Sequence, residues 1–155
     1  MLRPIAIATA VSGTLDILFA MILTLLFGRD IGNMLRYVAS GPFPSAKEWG
    51  SAGAVLGLLT HFTLMAIMAS VFVIAAQRVP DMLKSPLKWG LIYGLVTYVA
   101  MNWIVVPLRF DVPLPPKPLS IATQLFAHIV LVGIPFALIT ARTLRGGYLM
   151  ERATA

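Results

Sequence analysis

Residues 52–76 read AGAVLGLLTHFTLMAIMASVFVIAA. This stretch contains no charged side chain, and it exceeds the length of about 20 residues that a helix needs to cross the hydrocarbon core of a bilayer. Lipid offers no partner to unpaired backbone groups, so such a run is typical of a transmembrane helix. His61 interrupts the apolar run, which indicates that one face of this helix points away from lipid.

The composition of the whole chain points the same way. Of its 155 residues, 59% are hydrophobic and 12% are charged, whereas a soluble domain carries about 25% charged residues. A soluble enzyme and a disordered chain are both excluded. The absence of cysteine excludes disulfides, a thiolate zinc site and a cysteine nucleophile. The net charge of +6 is spread over the loops, so we expect no nucleic-acid partner.

Three further stretches are long and apolar enough to cross a membrane. The run that follows Arg3 continues unbroken to Phe27, so we interpret it as an uncleaved span and not as a signal peptide. The sequence therefore predicts one all-α domain over residues 1–155, a polytopic bundle of four transmembrane helices. The predicted spans cover about residues 5–27, 52–76, 89–107 and 119–141.

The distribution of Lys and Arg predicts the orientation. With four spans, both termini and the middle loop lie on one side of the membrane. That side carries seven basic residues against five on the other, which favours cytoplasmic termini. The seven are Arg3, Arg78, Lys84, Lys88, Arg142, Arg145 and Arg152.

The connections between spans carry signals of their own. In residues 28–51, Asp30 is a possible N-cap for apolar residues at helical spacing, which predicts a short interfacial helix on the outer surface. Ser45 and Glu48 have the spacing of a capping box, so the second helix is expected to begin near Ala46. The prolines between residues 111 and 118 predict a stiff, extended link.

Each predicted span contains one polar side chain that hydrocarbon disfavours: Asp16, His61, Asn102 or His128. An ionised Asp at the centre of a transmembrane helix costs about 2.5–3.5 kcal/mol, so such groups face the bundle interior and find partners. Counting along the helices at a rise of about 1.5 Å per residue places these side chains at similar depths. The sequence therefore predicts one shared polar layer.

Small and polar residues share the faces of these four side chains. Pro135 lacks an N–H and frees the carbonyl of Leu131. Small residues let helices approach closely, so the glycines are also explained by packing alone, and the polar side chains by hydrogen bonding within the bundle. We take as further candidates for ligand binding or proton relay Tyr98 and Gln124, and as packing positions Gly13, Gly53, Gly57, Gly90, Gly94, Gly133 and Pro135.

Four short motifs carry a family resemblance. Residues 13–16 read GTLD, residues 56–62 read LGLLTHF, residues 93–95 and 101–108 read YGL and MNWIVVPL, and His128 is followed by Gly133 and Pro135. In this order they resemble a family of small, uncharacterised four-helix bacterial inner-membrane proteins. The resemblance implies a location in the bacterial inner membrane and no particular activity or cofactor.

Two classes of function fit these features first. The leading hypothesis is a protein that binds a small ligand or lipid, or an accessory subunit of a larger membrane complex or homo-oligomer. The alternative is an oligomeric proton-linked transporter or channel, in which Asp16 and the two histidines exchange protons.

Two further hypotheses need the histidines as ligands. His61 and His128 are placed on different spans, as the axial ligands of a haem would be. With Asp16 they would form a three-ligand catalytic metal site. An enzyme is the less favoured class, because the sequence lacks HExxH, GxSxG and a phosphate-binding glycine loop.

Overall fold

The computed structural model describes the backbone of residues 1–153 and the side chains of residues 1–145. The protein is all-α: helix accounts for 87% of it, and the described residues contain no β-strand. Four of the described helices are long and apolar enough to span a membrane, which confirms the predicted fold class. The side chain of Arg152, which entered the charge count, lies outside the described residues.

The four spans are Leu2–Leu26, Gly50–Arg78, Pro86–Phe110 and Pro118–Arg145, and we number them 1 to 4. A short 3₁₀ helix, Pro44–Glu48, precedes span 2. Two π-helical segments, Ala100–Val105 and Ala127–Gly133, lie within spans 3 and 4. The α-helices are α1 (Leu2–Leu26), α2 (Ile31–Ala39), α3 (Gly50–Arg78), α4 (Pro80–Lys84), α5 (Pro86–Val99), α6 (Val106–Phe110), α7 (Pro118–Phe126) and α8 (Ile134–Ala153).

Span 1 lies between spans 2 and 4, and span 4 also packs against span 3. Spans 2 and 3 meet where the Tyr93 hydroxyl donates to the Met68 carbonyl at 2.7 Å and where the Tyr93 and Phe72 rings pack edge to face. Phe72 and Phe136 are fully buried in this part of the core. The opposite faces of the spans expose large apolar side chains such as Leu18 and Ile67, as expected of helices that contact lipid.

Glycines bring spans 3 and 4 into backbone contact. A Cβ atom at Gly94 would lie 2.6 Å from the carbonyl oxygen of His128, and one at Gly90 would lie 2.9 Å from that of Gly133. A Cβ atom at Gly133 would in turn collide with the Gly90 carbonyl. At these three positions the absence of a side chain leaves room for the backbone of the neighbouring span.

The loop between spans 1 and 2 contains the expected short helix, α2, and we use the word outer for this loop and for the end of the bundle at which it lies. Asp30 caps it, because its side chain accepts a hydrogen bond from the Asn33 N–H at 2.7 Å. The helix packs against span 2, where the backbone of Leu35 occupies the space beside Gly57. Gly53 contacts the carbonyl of Ala46 in the same way. The two glycines thus admit the outer loop, and not another span, to the surface of span 2.

The predicted start of the second helix is wrong by several residues. Pro44–Glu48 forms a 3₁₀ helix, in which no side chain caps the first turn, and α3 begins only at Gly50. Gly50 has φ of +53°, a left-handed conformation that interrupts a right-handed helix and that glycine adopts without strain. The spacing of Ser45 and Glu48 therefore marks a separate turn and not a capping box.

The connection between spans 3 and 4 has no helix over residues 111–117, and it begins where Asp111 adopts a left-handed conformation at φ of +49°. Just before it, Arg109 fastens the outer end of span 3 to the loop after α2. Its Nη2 donates to the Ser40 carbonyl at 2.8 Å and its Nε to the Gly41 carbonyl at 2.5 Å. The outer ends of spans 2 and 3 are thereby joined through the loop between spans 1 and 2.

The contact between spans 3 and 4 leads to a stability prediction. Gly133→Ala should destabilise the bundle by about 1–3 kcal/mol, the usual cost of overpacking, because the new methyl group would meet backbone that cannot rotate away. Ala122→Val adds volume at an exposed position of the same span and should be nearly neutral. Unfolding in mixed detergent, followed by circular dichroism, compares the two; equal stability of both variants would contradict the close contact.

Candidate functional site

Asp16 and His61 face each other across the contact between spans 1 and 2. The Nε2 atom of His61 lies 2.9 Å from the Gly13 carbonyl oxygen, and its Nδ1 atom lies 3.9 Å from Oδ2 of Asp16. The side chains are largely buried, with 10% of His61 and 20% of Asp16 exposed. Span 1 thus supplies both groups that position the imidazole, one turn apart on the same face.

The Gly13 carbonyl determines which nitrogen of His61 carries hydrogen. A carbonyl oxygen only accepts, so Nε2 must be the donor in this contact. In the neutral ring, Nδ1 then presents a lone pair to the Asp16 carboxylate, which also only accepts. The two groups attract each other when one proton is added to the pair, on either the imidazole or the carboxyl group.

His128 reaches the same region from the π-helical segment of span 4. Its Nδ1 atom lies 2.9 Å from the Gln124 carbonyl oxygen, so Nδ1 is the donor and Nε2 is left with a lone pair. Span 1, which carries Asp16, packs against the π-helical segment that carries His128. The Tyr98 ring stands edge-on to His128 at 6.0 Å between centroids. We call Asp16, His61 and His128 the Asp–His cluster.

The remaining candidates play different parts from those expected. Asn102 was predicted to bond between helices, but its Nδ2 atom donates to the Tyr98 carbonyl at 3.3 Å within its own span. The Tyr98 carbonyl lies one helical turn before Asn102, which explains why the amide bonds within its own span. Gln124 takes part through its backbone carbonyl, as described for His128. Trp103, which the sequence did not single out, donates its indole N–H to the Tyr98 hydroxyl at 3.1 Å.

Both π-helical segments carry a candidate residue, and both end two residues before a proline. Asn102 lies in Ala100–Val105, upstream of Pro107, and His128 lies in Ala127–Gly133, upstream of Pro135. Proline has no N–H to donate to the carbonyl four residues earlier, and a wider turn is one way in which a helix accommodates this loss. The pairs Val106-Pro107 and Ile134-Pro135 are the sequence signal for these wider turns, and only Pro135 was singled out from the sequence.

A pocket lies at the outer end of span 1. It has a volume of about 650 Å³ and is open to the surface. Its lining combines Arg29 and Asp30 with Asn33 and Tyr37 of α2, and partial burial raises the pKa of the Tyr37 hydroxyl. Sequence reasoning missed this pocket, because it depends on how α2 folds back on the bundle.

The geometry argues against the two hypotheses that use histidine as a ligand. Both nitrogens of His61 are already directed at oxygen atoms, those of Gly13 and Asp16, which leaves none aimed at a haem iron. Within the described residues, no three His, Asp or Glu side chains are placed to hold a metal ion together. When both rings are neutral, each member of the Asp–His cluster thus has an unprotonated acceptor atom.

A scan against protein-family models, a search of curated proteins and a search of solved structures each found no match to this chain. The resemblance to small inner-membrane proteins stays a prediction, and the function has to be argued from the Asp–His cluster itself.

The two histidines should differ in tautomer. At a pH where both rings are neutral, His61 should carry its hydrogen on Nε2 and His128 on Nδ1, because each of these atoms faces a backbone carbonyl. Nitrogen-15 NMR of histidine-labelled protein distinguishes the two forms, and Gln substitution of each ring in turn assigns the signals. Two rings in the same tautomer would contradict the described contacts.

Proposed function

We propose that this chain is a proton-binding integral membrane protein of the bacterial inner membrane, with both termini in the cytoplasm, in which the Asp–His cluster takes up and releases a proton. Proton-linked movement of charge or solute is the function that this site serves. A chain of 155 residues is small for a transporter, so the working form is a homo-oligomer or a complex with a larger membrane protein.

One observation carries the proposal. Asp16 Oδ2 and His61 Nδ1 lie 3.9 Å apart, longer than a hydrogen bond, and each accepts but does not donate when both groups lack the shared proton. Hydrocarbon makes an uncompensated charge costly, so the pair gains from a proton more than it would in water. Histidine exchanges protons in the physiological pH range, which suits a site that must also release them.

The position of the cluster supports the same use. Asp16 lies 14 residues after Leu2, which is about 21 Å along a helix of 25 residues. His61 and His128 approach it from spans 2 and 4, so the three groups belong to three different helices. A change in the charge of Asp16 therefore acts on two span contacts at once, those of span 1 with spans 2 and 4, as coupling to a movement requires.

Asp16→Asn tests the proposal, because the amide keeps the shape of the side chain but does not titrate. In proteoliposomes that contain a pH-sensitive dye, proton flux should fall to the level of protein-free vesicles. Asp111→Asn makes the same chemical change in the exposed connection after span 3 and should leave the flux as in the parent protein. Flux that is unaffected by Asp16→Asn would reject the proposal.

A second candidate is binding of a small ligand, in keeping with the leading hypothesis from the sequence. The observation that favours it is the 20% exposure of the Asp16 side chain, which leaves part of the carboxylate open to a molecule other than a proton. A cluster of acceptors selects a ligand that donates, and a protonated primary amine on an apolar body fits both the charge and the surroundings.

Native mass spectrometry separates this candidate from proton transfer. A long-chain primary amine added to the purified protein should be retained by the parent and by Asp111→Asn, and lost from Asp16→Asn. Retention by all three proteins would show that the amine binds elsewhere, and would contradict ligand binding at the cluster.

A further inference from the structure

Three buried hydroxyl groups in spans 1 and 4 have no hydrogen-bond partner among the described residues: those of Thr9, Ser12 and Thr140. Ser12 and Thr140 are completely buried, with 0% of each residue exposed. A buried hydroxyl without a partner costs free energy, so such groups in folded proteins commonly bind ordered water. Their number and proximity in one interface call for an explanation.

Other hydroxyls in the spans behave differently. Within a helix, Ser and Thr can donate to the carbonyl four residues earlier, and this bond is open to every such residue. The three unpartnered hydroxyls do not use it. Residues that do use it are Thr24, Thr63, Ser70, Thr123 and Thr143.

The unpartnered hydroxyls line the route from one end of the bundle to Asp16. Thr9, Ser12 and Asp16 follow each other at steps of three and four residues, and so lie on one face of span 1. Thr140 belongs to span 4, which packs against this part of span 1 and reaches the same end of the bundle at Arg145. Buried alanines beside them, Ala8 and Ala137, keep the side chains of this interface small.

The spacing suits water. Four residues along a helix advance about 6 Å, and one water between two oxygen atoms spans roughly 5.5 Å, or two hydrogen bonds of about 2.7–2.8 Å. The rise between Ser12 and Asp16 therefore matches the length of one bridging water, and the rise of about 4.5 Å between Thr9 and Ser12 is somewhat shorter.

In the other direction from Asp16 the span contacts are aromatic and apolar. Phe19, one turn further out, packs its ring against Phe126 of span 4 at 5.2 Å between centroids. Ile17 is buried beside it, and the Thr24 hydroxyl is already bonded to the Ala20 carbonyl at 2.7 Å. The unpartnered buried hydroxyls thus lie on one side of Asp16, and the packed rings of Phe19 and Phe126 lie on the other.

We propose that Thr9, Ser12 and Thr140 bind a short chain of water molecules that connects Asp16 with the membrane face at which Leu2 and Arg145 lie. The water gives the Asp–His cluster access to protons from that face alone. This use of the water rests on the proposed proton-binding function, whereas the binding of water itself does not.

The cysteine-free sequence permits a direct test. Ser12→Cys and Thr140→Cys introduce single thiols of nearly the original size. Silver ions, added in chloride-free buffer to one face of sealed membranes, pass where water passes and combine with the thiol, and a maleimide applied after solubilisation measures the thiol that remains. Membranes of both orientations report from which face the silver enters.

Thr63→Cys is the matched control, because Thr63 is exposed on the outer face of span 2, where lipid is expected. Ser12→Cys and Thr140→Cys should react about tenfold faster than Thr63→Cys or more, since the thiolate that reacts forms only in contact with water. The reaction should occur only from the face at which the termini lie. Rates equal to that of Thr63→Cys, or faster reaction from the opposite face, would overturn the proposal.

This outcome is independent of the flux experiment. Fast silver reaction together with proton flux that ignores Asp16→Asn would establish the water chain and reject the proton function. Slow silver reaction together with flux that depends on Asp16 would retain the proton function and reject this route to it.

Discussion

The centre of this protein is arranged around one constraint: a carboxyl group lies inside an apolar bundle. Span 1 carries Asp16 and, one turn earlier, the Gly13 carbonyl that orients the imidazole of His61. The glycine is required for this approach, because a Cβ atom at position 13 would lie 2.7 Å from the ring of Phe62. The Gly13 carbonyl and the Asp16 side chain of span 1 thus face the two ring nitrogens of His61, which belongs to span 2.

The number of spans and their approximate limits follow from the sequence, because the length of an apolar helix that crosses lipid is a local property. The similar depth of Asp16 and His61, which face each other, was also predictable, since depth along a straight helix depends only on residue count. The start of α3 was not: the left-handed Gly50 and the 3₁₀ turn before it compete with a capping-box pattern that uses the same residue types.

Features that depend on the packing of several elements escaped the sequence analysis. The partner of Gly53 and Gly57 is the outer loop and α2, because a short helix with an apolar face is closer along the chain than any other span. The hydrogen bond of Asn102 closes within its own helix for the same reason of proximity. The pocket at Arg29 exists only because α2 folds back on the bundle.

The π-helical segments of spans 3 and 4 share the same arrangement. Each precedes a proline, and the residue just before that proline donates its N–H five residues back, Val106 to Met101 and Ile134 to Ile129. An inserted residue rotates the side chains on either side of it relative to a regular helix. His128 therefore owes its direction toward span 1 to a backbone defect as much as to its position in the sequence.

The attachment of Arg109 to two backbone carbonyls has a consequence for how the molecule responds to acidity. A guanidinium stays protonated at every physiological pH, and carbonyl oxygens do not titrate, so this link keeps its strength when the medium becomes acidic. The hydrogen bonds that hold the loop after α2 to span 3 therefore do not depend on pH. If the Asp–His cluster changes its charge as proposed, the link between span 3 and the loop after α2 stays in place.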